Sequence, residues 1–229
     1  IGPKLICIPT TSGTGSEVTM AAVFTNVDTN VKHCIAGDGA KADLALVDPE
    51  LAAGMPEKLT TATGFDTLAH AVESYICNFA NGYSDMFAEK SILTTLKYLG
   101  LAAKDGKNIE YRSEISRACT FAGISLSDAG LTAGHSMAHS LGATYHIPHG
   151  VACSIALPWL MDYMAPVVQN KTRDLIEMFG GDRNVEESKL GETIRELIID
   201  YAQSLGLPLL HEIESAKMED IHGLSVKAH

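Results

Sequence analysis

The sequence has 229 residues, of which 46% are hydrophobic and 20% are charged, and this composition predicts a folded globular protein rather than a disordered or fibrous one. The 28 acidic residues outnumber the 17 basic ones, and the formal net charge of -11 disfavours binding to nucleic acid or to anionic lipid. No stretch reaches the roughly 18 to 20 consecutive apolar residues of a membrane helix, so we expect no membrane partner.

The first 55 residues have the pattern of short strands separated by turns. The candidate strands are LICI, VTMAAVFT, HCIAG and LALVD, and they are bounded by Gly, Asp and Pro. The chain opens on one of these strand-like runs and has no initiator Met. We therefore expect it to be a fragment of a longer protein.

From Pro56 onward the pattern predicts helices. Apolar side chains recur at helical spacing at Phe65, Leu68, Val72 and Tyr75, and again over residues 92–99. A third amphipathic helix is predicted to begin near residue 188 and to end at Gly206. These elements predict a mainly α fold with one helical unit over residues 56–229.

The five cysteines are widely spaced and form no C-x-x-C pair, a pattern typical of reduced core cysteines in a cytoplasmic protein. They are Cys7, Cys34, Cys77, Cys119 and Cys153.

Histidines are concentrated in one part of the chain. His135 and His139 are four residues apart, as are Asp66 and His70, so the members of each pair share a helix face. His149 lies at a predicted turn. Together these side chains can supply several imidazole nitrogens and one carboxylate oxygen to a divalent ion, and this mixture suits Fe(II) or Zn(II) better than Mg(II) or Ca(II).

A simpler interpretation exists for part of this cluster. Asp66, His70 and Glu73 lie away from the apolar stripe of their helix, where a solvated polar face would also lie. The pair His135 and His139 is harder to explain in this way, because imidazoles in an apolar, Gly-rich helix need partners when buried. The residues alone leave both interpretations open.

The loop PTTSGTGSEVT, residues 9–19, is dense in hydroxyl groups and glycines and follows a predicted strand. Such a loop can donate hydrogen bonds to phosphate oxygens. Ordinary turns are also built from Gly, Ser and Thr, so the loop alone is a weak signal.

Three segments, PTTSGTGSEVT, MPEKLTTATGFDTLAHAVESY and GHSMAHSLGATYHIPHGVA, resemble in order and spacing the signature segments of iron-containing alcohol dehydrogenases. The resemblance implies that Asp66, His70, His135 and His149 bind the metal. It implies that His139, which spacing alone would count as a ligand, lies beside the metal and relays or positions a proton.

The resemblance also implies a fold and a cofactor. Residues 1–55 would be a β-rich remnant of the α/β cofactor-binding domain, and residues 56–229 the helical metal-binding domain of the dehydroquinate synthase-like fold. The N-terminal dinucleotide-binding half would be absent. The implied contacts to NAD or NADP are Thr10, Thr11, Ser12, Gly13, Thr14, Thr19, Lys32, Leu51, Gly54 and Met55.

The function implied by this resemblance is hydride transfer between a small alcohol or diol and a nicotinamide cofactor, with Fe(II) or Zn(II) as the Lewis acid. The full-length enzyme would be a cytoplasmic homodimer. Two alternatives remain: a metal-dependent hydrolase or lyase, and a metal-binding helical module without catalysis. Neither alternative needs a hydroxyl-rich loop ahead of the metal helices.

Overall fold

A computed structural model describes residues 4–28, 31–220 and 223–225. Its N-terminal part contains two small sheets. Strand β1 (Ile6–Cys7) pairs in parallel with β4 (Leu44–Ala45), and β2 (Ala21–Asn26) pairs antiparallel with β3 (Val31–Ala36). The first and last strands are shorter than predicted. At the end of the last predicted strand, the side chain of Asp48 instead accepts a hydrogen bond from the Glu50 N–H and caps the first helix.

Most of the remaining described chain is helical, as the sequence predicted. The helices are α1 (Pro49–Ala52), α2 (Glu57–Ile76), α3 (Gly82–Lys104), α4 (Ile109–Ala129), α5 (Ala133–Tyr145), α6 (His149–Met164), α7 (Gln169–Met178) and α8 (Leu190–Ser204). None of the helices among the described residues combines the length and the apolar composition required to cross a membrane.

Helix α2 lies at the centre of the helical unit and packs against α3, α4 and α6. Phe65, Leu68 and Val72 are fully buried on its apolar stripe. The opposite face is also buried, since Asp66 and His70 are 3% and 7% exposed. The interpretation of that face as a solvated surface is therefore wrong, because other helices cover it.

Small residues allow the close approach of α2 and α6. A side chain at Gly150, in the first turn of α6, would overlap the backbone carbonyl of Ala62 on α2. The two helices therefore meet with backbone against backbone, and this contact brings the start of α6 next to the polar face of α2.

The hydroxyl-rich loop is fastened to two of these helices. The Gly15 N–H donates a 3.1 Å hydrogen bond to Cys119 Sγ on α4, and Gly15 has the positive φ of 61° that favours glycine. The hydroxyls of Ser12 and Ser116 lie 2.9 Å apart. On α2, the Thr67 hydroxyl donates to the Gly13 carbonyl at 3.0 Å. The loop therefore packs as part of the helical unit.

A buried arginine joins the starts of α2 and α4. Arg112 is 1% exposed, and its guanidinium donates three hydrogen bonds of 2.7 to 2.9 Å. The acceptors are the Gly106 carbonyl, the Thr60 hydroxyl and the Met55 carbonyl. One side chain thereby satisfies polar groups from three separate segments.

Candidate metal centre

Three helices bring the predicted metal-binding residues together. Asp66 and His70 lie one turn apart on α2, His135 is in the first turn of α5, and His149 is the first residue of α6. The position of His149 is fixed locally by Pro148, the residue before the helix, whose extended backbone starts α6 at that point.

The Asp66 carboxylate is the common neighbour of the histidines. Its Oδ1 atom lies 3.4 Å from His135 Nε2, 3.4 Å from His149 Nε2 and 3.8 Å from His70 Nδ1. Ligand atoms bound about 2.1 Å from a tetrahedral ion lie roughly 3.4 Å from one another. The two separations of 3.4 Å from Asp66, to His135 and to His149, fit that geometry.

The environment holds Asp66, His70 and His149 in metal-binding protonation states. Burial alone would raise the pKa of Asp66, but His70, His135 and His149 together hold it far below its usual range. Burial lowers the pKa of His149 to about 4 and also lowers that of His70. An ionised carboxylate and neutral imidazoles are the forms that coordinate a divalent ion.

His135 differs from its neighbours. Burial lowers its pKa, but hydrogen bonds to Asp66, Cys153 and Glu73 outweigh that effect and raise the pKa well above its usual value. Without a metal ion, His135 therefore holds a proton that it shares in hydrogen bonds with the carboxylates of Asp66 and Glu73. An ion at the same place would replace that proton.

Two imidazole nitrogens in the cluster lack hydrogen-bond partners. Within the described part of the chain, His70 Nδ1 and His149 Nδ1 are buried and unpaired. Unpaired buried polar atoms are uncommon in native proteins and often mark a place where an ion or a water binds. Of the two, His70 Nδ1 is the atom that lies nearest Asp66, whereas His149 faces Asp66 through Nε2. The donor set and the unpaired His70 Nδ1 fit a divalent cation of borderline softness.

Two neighbouring residues were missed by the sequence analysis as parts of this site. Cys153 Sγ lies 3.5 Å from Asp66 Oδ1 and 3.7 Å from His149 Nε2, and Glu73 Oε1 lies 2.6 Å from His135 Nδ1. The four-residue spacing from His149 to Cys153 on one helix face was a signal for the cysteine. Contact between Glu73 and His135 had no such signal, because the two residues lie on different helices.

One close grouping among the described residues differs from the ligand set implied by the resemblance. Asp66, His135, His149 and Cys153 each offer an atom within 4.8 Å of the others. His70 lies at the side of that grouping, with its ring stacked on His135 at a centroid separation of 4.3 Å.

His139 lies next to this grouping. It is partly buried, and its ring centroid is 5.0 Å from that of His149 and 6.4 Å from that of His135. This position beside the predicted ligands is compatible with the role in proton relay or positioning that the resemblance implies.

The predicted cofactor contacts divide into two groups. Ser12, Gly13, Thr19 and Met55 are buried, and the Ser12 hydroxyl is directed to Ser116 inside the protein. The side chain of Lys32 lies outside the described residues. The exposed members of the set are Thr10, Thr11, Thr14, Leu51 and Gly54.

Comparison with known proteins gives two family matches. Residues 60–228 match the Fe-containing alcohol dehydrogenase family, C-terminal, and residues 2–49 match iron-containing alcohol dehydrogenase. The 1-propanol dehydrogenase PduQ of Salmonella typhimurium is 38% identical over 162 residues, which are 71% of this chain and 44% of the relative. The NADPH-dependent butanol dehydrogenase of Clostridium saccharobutylicum is 33% identical over 224 residues, which are 95% of this chain and 57% of the relative.

Solved structures show the same similarity in three dimensions. A crystal structure of 1,3-propanediol oxidoreductase superposes with a TM-score of 0.92 at 33% identity, and the match covers 99% of this chain and 59% of that one. The chain thus spans about half the length of the relatives it matches. The family pattern that matches residues 60–228 covers most of this sequence, and the chain belongs to the iron-containing alcohol dehydrogenase family.

Proposed function

We propose that this chain carries the metal centre of an alcohol dehydrogenase, which transfers hydride between a small alcohol or diol and a nicotinamide dinucleotide. One observation carries this proposal most directly. Through the bond from Thr67 to Gly13, the hydroxyl-rich loop contacts α2 at a residue adjacent to Asp66 and one turn before His70. A dinucleotide on that loop would lie close to an ion in the histidine cluster.

The proposed metal ligands are Asp66, His70, His135 and His149. Their three imidazoles and one carboxylate fit Fe(II) or Zn(II), and they would leave one positive charge on the site. A divalent ion held there supplies Lewis acidity toward an alcohol or carbonyl oxygen.

The protein's own groups have separate tasks in this proposal. Asp66 provides the negative charge that holds the cation, and burial keeps water from screening that charge. The exposed hydroxyls of Thr10, Thr11 and Thr14 bind cofactor oxygens. His139 moves a proton between the site and solvent, because its ring is next to His149 but outside the grouping of Asp66, His135, His149 and Cys153.

The alternatives are less well supported. A metal-dependent hydrolase or lyase, or a binding module without catalysis, would not need the loop of residues 9–19 fastened beside the cluster. The two relatives are named as dehydrogenases of 1-propanol and of butanol. These names support a small alcohol as the substrate class.

We also propose that the whole protein is a cytoplasmic homodimer. Among the described residues Cys7, Cys77, Cys119 and Cys153 are free, which supports a reducing compartment. Light scattering on the whole protein tests the dimer, and a monomer mass would overturn it.

Metal content tests the site itself. Protein purified without chelator is expected to contain about one ion per chain by mass spectrometry, as a single four-ligand site requires. His135→Ala and His149→Ala should lose that ion. His211→Ala is the matched control, because His211 is exposed and outside the cluster. Full metal retention in both cluster variants would overturn the ligand assignment.

Turnover tests the reaction. The chain is joined to the nucleotide-binding half of a relative and assayed with 1-propanol and with NAD or NADP, by the absorbance of the reduced nicotinamide. Asp66→Asn is expected to lower kcat/KM by about 10^3-fold, since metal charge stabilisation contributes several kcal/mol. Hydrolysis of an ester without any dinucleotide, and no alcohol oxidation, would favour the hydrolase instead.

A further inference from the structure

Glu73 is a buried carboxylate with an unusual set of partners. It lies on α2, seven residues after Asp66, and is 1% exposed. Its Oε1 accepts a hydrogen bond from His135 Nδ1 at 2.6 Å. Its Oε2 accepts from the Thr132 N–H at 3.1 Å, the Thr132 hydroxyl at 2.8 Å and the His135 N–H at 3.3 Å. All four donors belong to the start of α5.

These contacts make Glu73 the N-terminal cap of a helix other than its own. Thr132 occupies the cap position of α5, but its side chain does not bond the helix N–H groups. Glu73 accepts the N–H of the third helical residue, the bond that a capping side chain normally makes. A side chain at Gly134 would come within 2.5 Å of Glu73 Oε1, so glycine leaves room for the carboxylate.

The same carboxylate determines which nitrogen of His135 faces the site. A bond from Nδ1–H to Glu73 leaves Nε2 on the side of Asp66, 3.4 Å from its Oδ1. Carboxylates bonded to the far nitrogen of a ligating histidine commonly fix the tautomer and ring orientation.

We propose that Glu73 is a positioning residue for the metal, which holds His135 with its Nε2 lone pair directed at the ion while it fixes the start of α5. The inference rests on the proposed function, because it requires an ion at the cluster. It adds a residue that never touches the ion but determines how tightly the ion is held.

Glu73→Gln separates the two tasks of the carboxylate. The amide oxygen can still accept from Thr132 and cap α5. The amide NH2 then faces His135 Nδ1 and favours the tautomer with hydrogen on Nε2, which points a proton toward the ion. Metal affinity is expected to fall about 10- to 100-fold, the usual effect of losing such a partner.

Thr132→Val is the matched control. It removes the hydroxyl that donates to the same carboxylate but leaves His135 and both backbone donors in place. We expect the metal-free Thr132→Val variant to melt at a lower temperature than the metal-free original chain. Its metal affinity should stay within about twofold of the original, because the partner of the imidazole is unchanged.

The measurement is the Kd for Co(II) and Zn(II), obtained by competition with a chromophoric chelator for the chain and both variants. Weaker binding in Glu73→Gln alone supports the positioning role. Equal affinity in Glu73→Gln and the original chain overturns it, and so does equal weakening in both variants, which would trace the effect to the helix cap.

Nitrogen NMR of the original chain provides a test that does not depend on a variant folding. His135 is expected to carry hydrogen on Nδ1 and to bind Zn(II) through Nε2, and the reverse assignment overturns the inference. If the original chain bound no metal at all, the proposed function would be overturned. If it bound metal with an affinity that did not depend on Glu73, only the positioning role would be overturned.

Discussion

Cys119 illustrates how the surroundings of a single side chain determine its reactivity. Burial raises the pKa of its thiol to about 12, and nearby Glu17 adds to the effect. Its sulfur also accepts the Gly15 N–H, which ties the hydroxyl-rich loop to α4. Burial likewise raises the pKa of the Cys153 thiol to about 12, and Asp66 adds to it. Both residues are therefore thiols at neutral pH when no metal is bound.

At the residue scale, we predict selective alkylation of the metal-free protein. Iodoacetamide should label the partly exposed Cys7 and Cys77, and it should leave Cys119 and Cys153 unlabelled, because the thiolate is the reactive form and both are buried. Peptide mass spectrometry measures the labelled fraction of each cysteine. Labelling in urea is the control, in which all the cysteines should react. Rapid labelling of Cys119 in the folded chain would show that the loop does not cover it.

The Cys119 pKa also predicts an alkaline loss of stability. The folded pKa is raised above the reference value of 9.0, so the unfolded chain releases its proton first as pH rises. The stabilising contribution is complete below that value and is lost above it, by at most about 1.4 kcal/mol per pH unit. Urea unfolding at increasing pH should show a steeper decline for the original chain than for Cys119→Ala, and parallel declines would contradict this account.

Among the elements, the contact between α2 and α6 matters most for the site. It unites Asp66 on one helix with His149 on the other, and it depends on the absence of a side chain at Gly150. Helix interfaces tolerate little added volume where backbones touch, because the packed surroundings cannot move far.

Gly150→Ala is therefore expected to destabilise the protein by about 2 to 4 kcal/mol and to weaken metal binding. Gly100→Ala is the matched control in α3, where the added carbon meets only Leu205 Cδ2 at 3.7 Å. That change should stabilise by about 0.5 to 1 kcal/mol, because alanine is the better helix former. Urea unfolding compares the two, and similar effects would show that the α2 and α6 backbones are not in contact.

A second prediction at this scale concerns the junction held by Arg112. Arg112→Lys should lower the free energy of unfolding by about 2 to 4 kcal/mol, because one ammonium cannot reach all three acceptors. Arg117→Lys on the same helix is the control, since Arg117 is 51% exposed and pairs with Glu114 at the surface. We expect that change to stay within about 0.5 kcal/mol. Comparable losses in the two variants would show that the buried bonds contribute little.

For the whole molecule, the candidate ligands come from helices that lie far apart in the sequence, between Asp66 and His149. An ion bound to all of them links these helices in the folded state only. Binding that is confined to the native state stabilises it by mass action.

We therefore expect Zn(II), or Fe(II) without oxygen, to raise the melting temperature of chelator-treated protein. At about 100 times Kd the gain is roughly 2.7 kcal/mol, which corresponds to roughly 5 to 10 °C for a chain of this size. Mg(II) should give no shift, because it prefers oxygen ligands, and Asp66→Asn should not respond to any of these ions. Differential scanning calorimetry measures the shift, and an equal response of Asp66→Asn would place the ion elsewhere.

The sequence by itself determined the mainly helical fold, the chain positions of α2 and α8, and the similarity to its family. These properties depend on local patterns: apolar residues at helical spacing, a Gly after the last helix, and three motifs in fixed order. The candidate ligands Asp66, His70, His135 and His149 were also named from the sequence and remain a prediction, supported by the distances among them.

Only the tertiary structure decided what surrounds those residues. The face of α2 with Asp66, His70 and Glu73 has the same periodicity whether water or another helix covers it, so the pattern could not reveal its burial. Residue spacing along the sequence does not predict the contact of Glu73 with His135 or that of Thr67 with Gly13, because each contact joins two separate elements. Such contacts depend on how closely the helices approach one another. Gly150 allows the close approach of α2 and α6, but the packing of the whole core decides whether two helices meet at such a glycine.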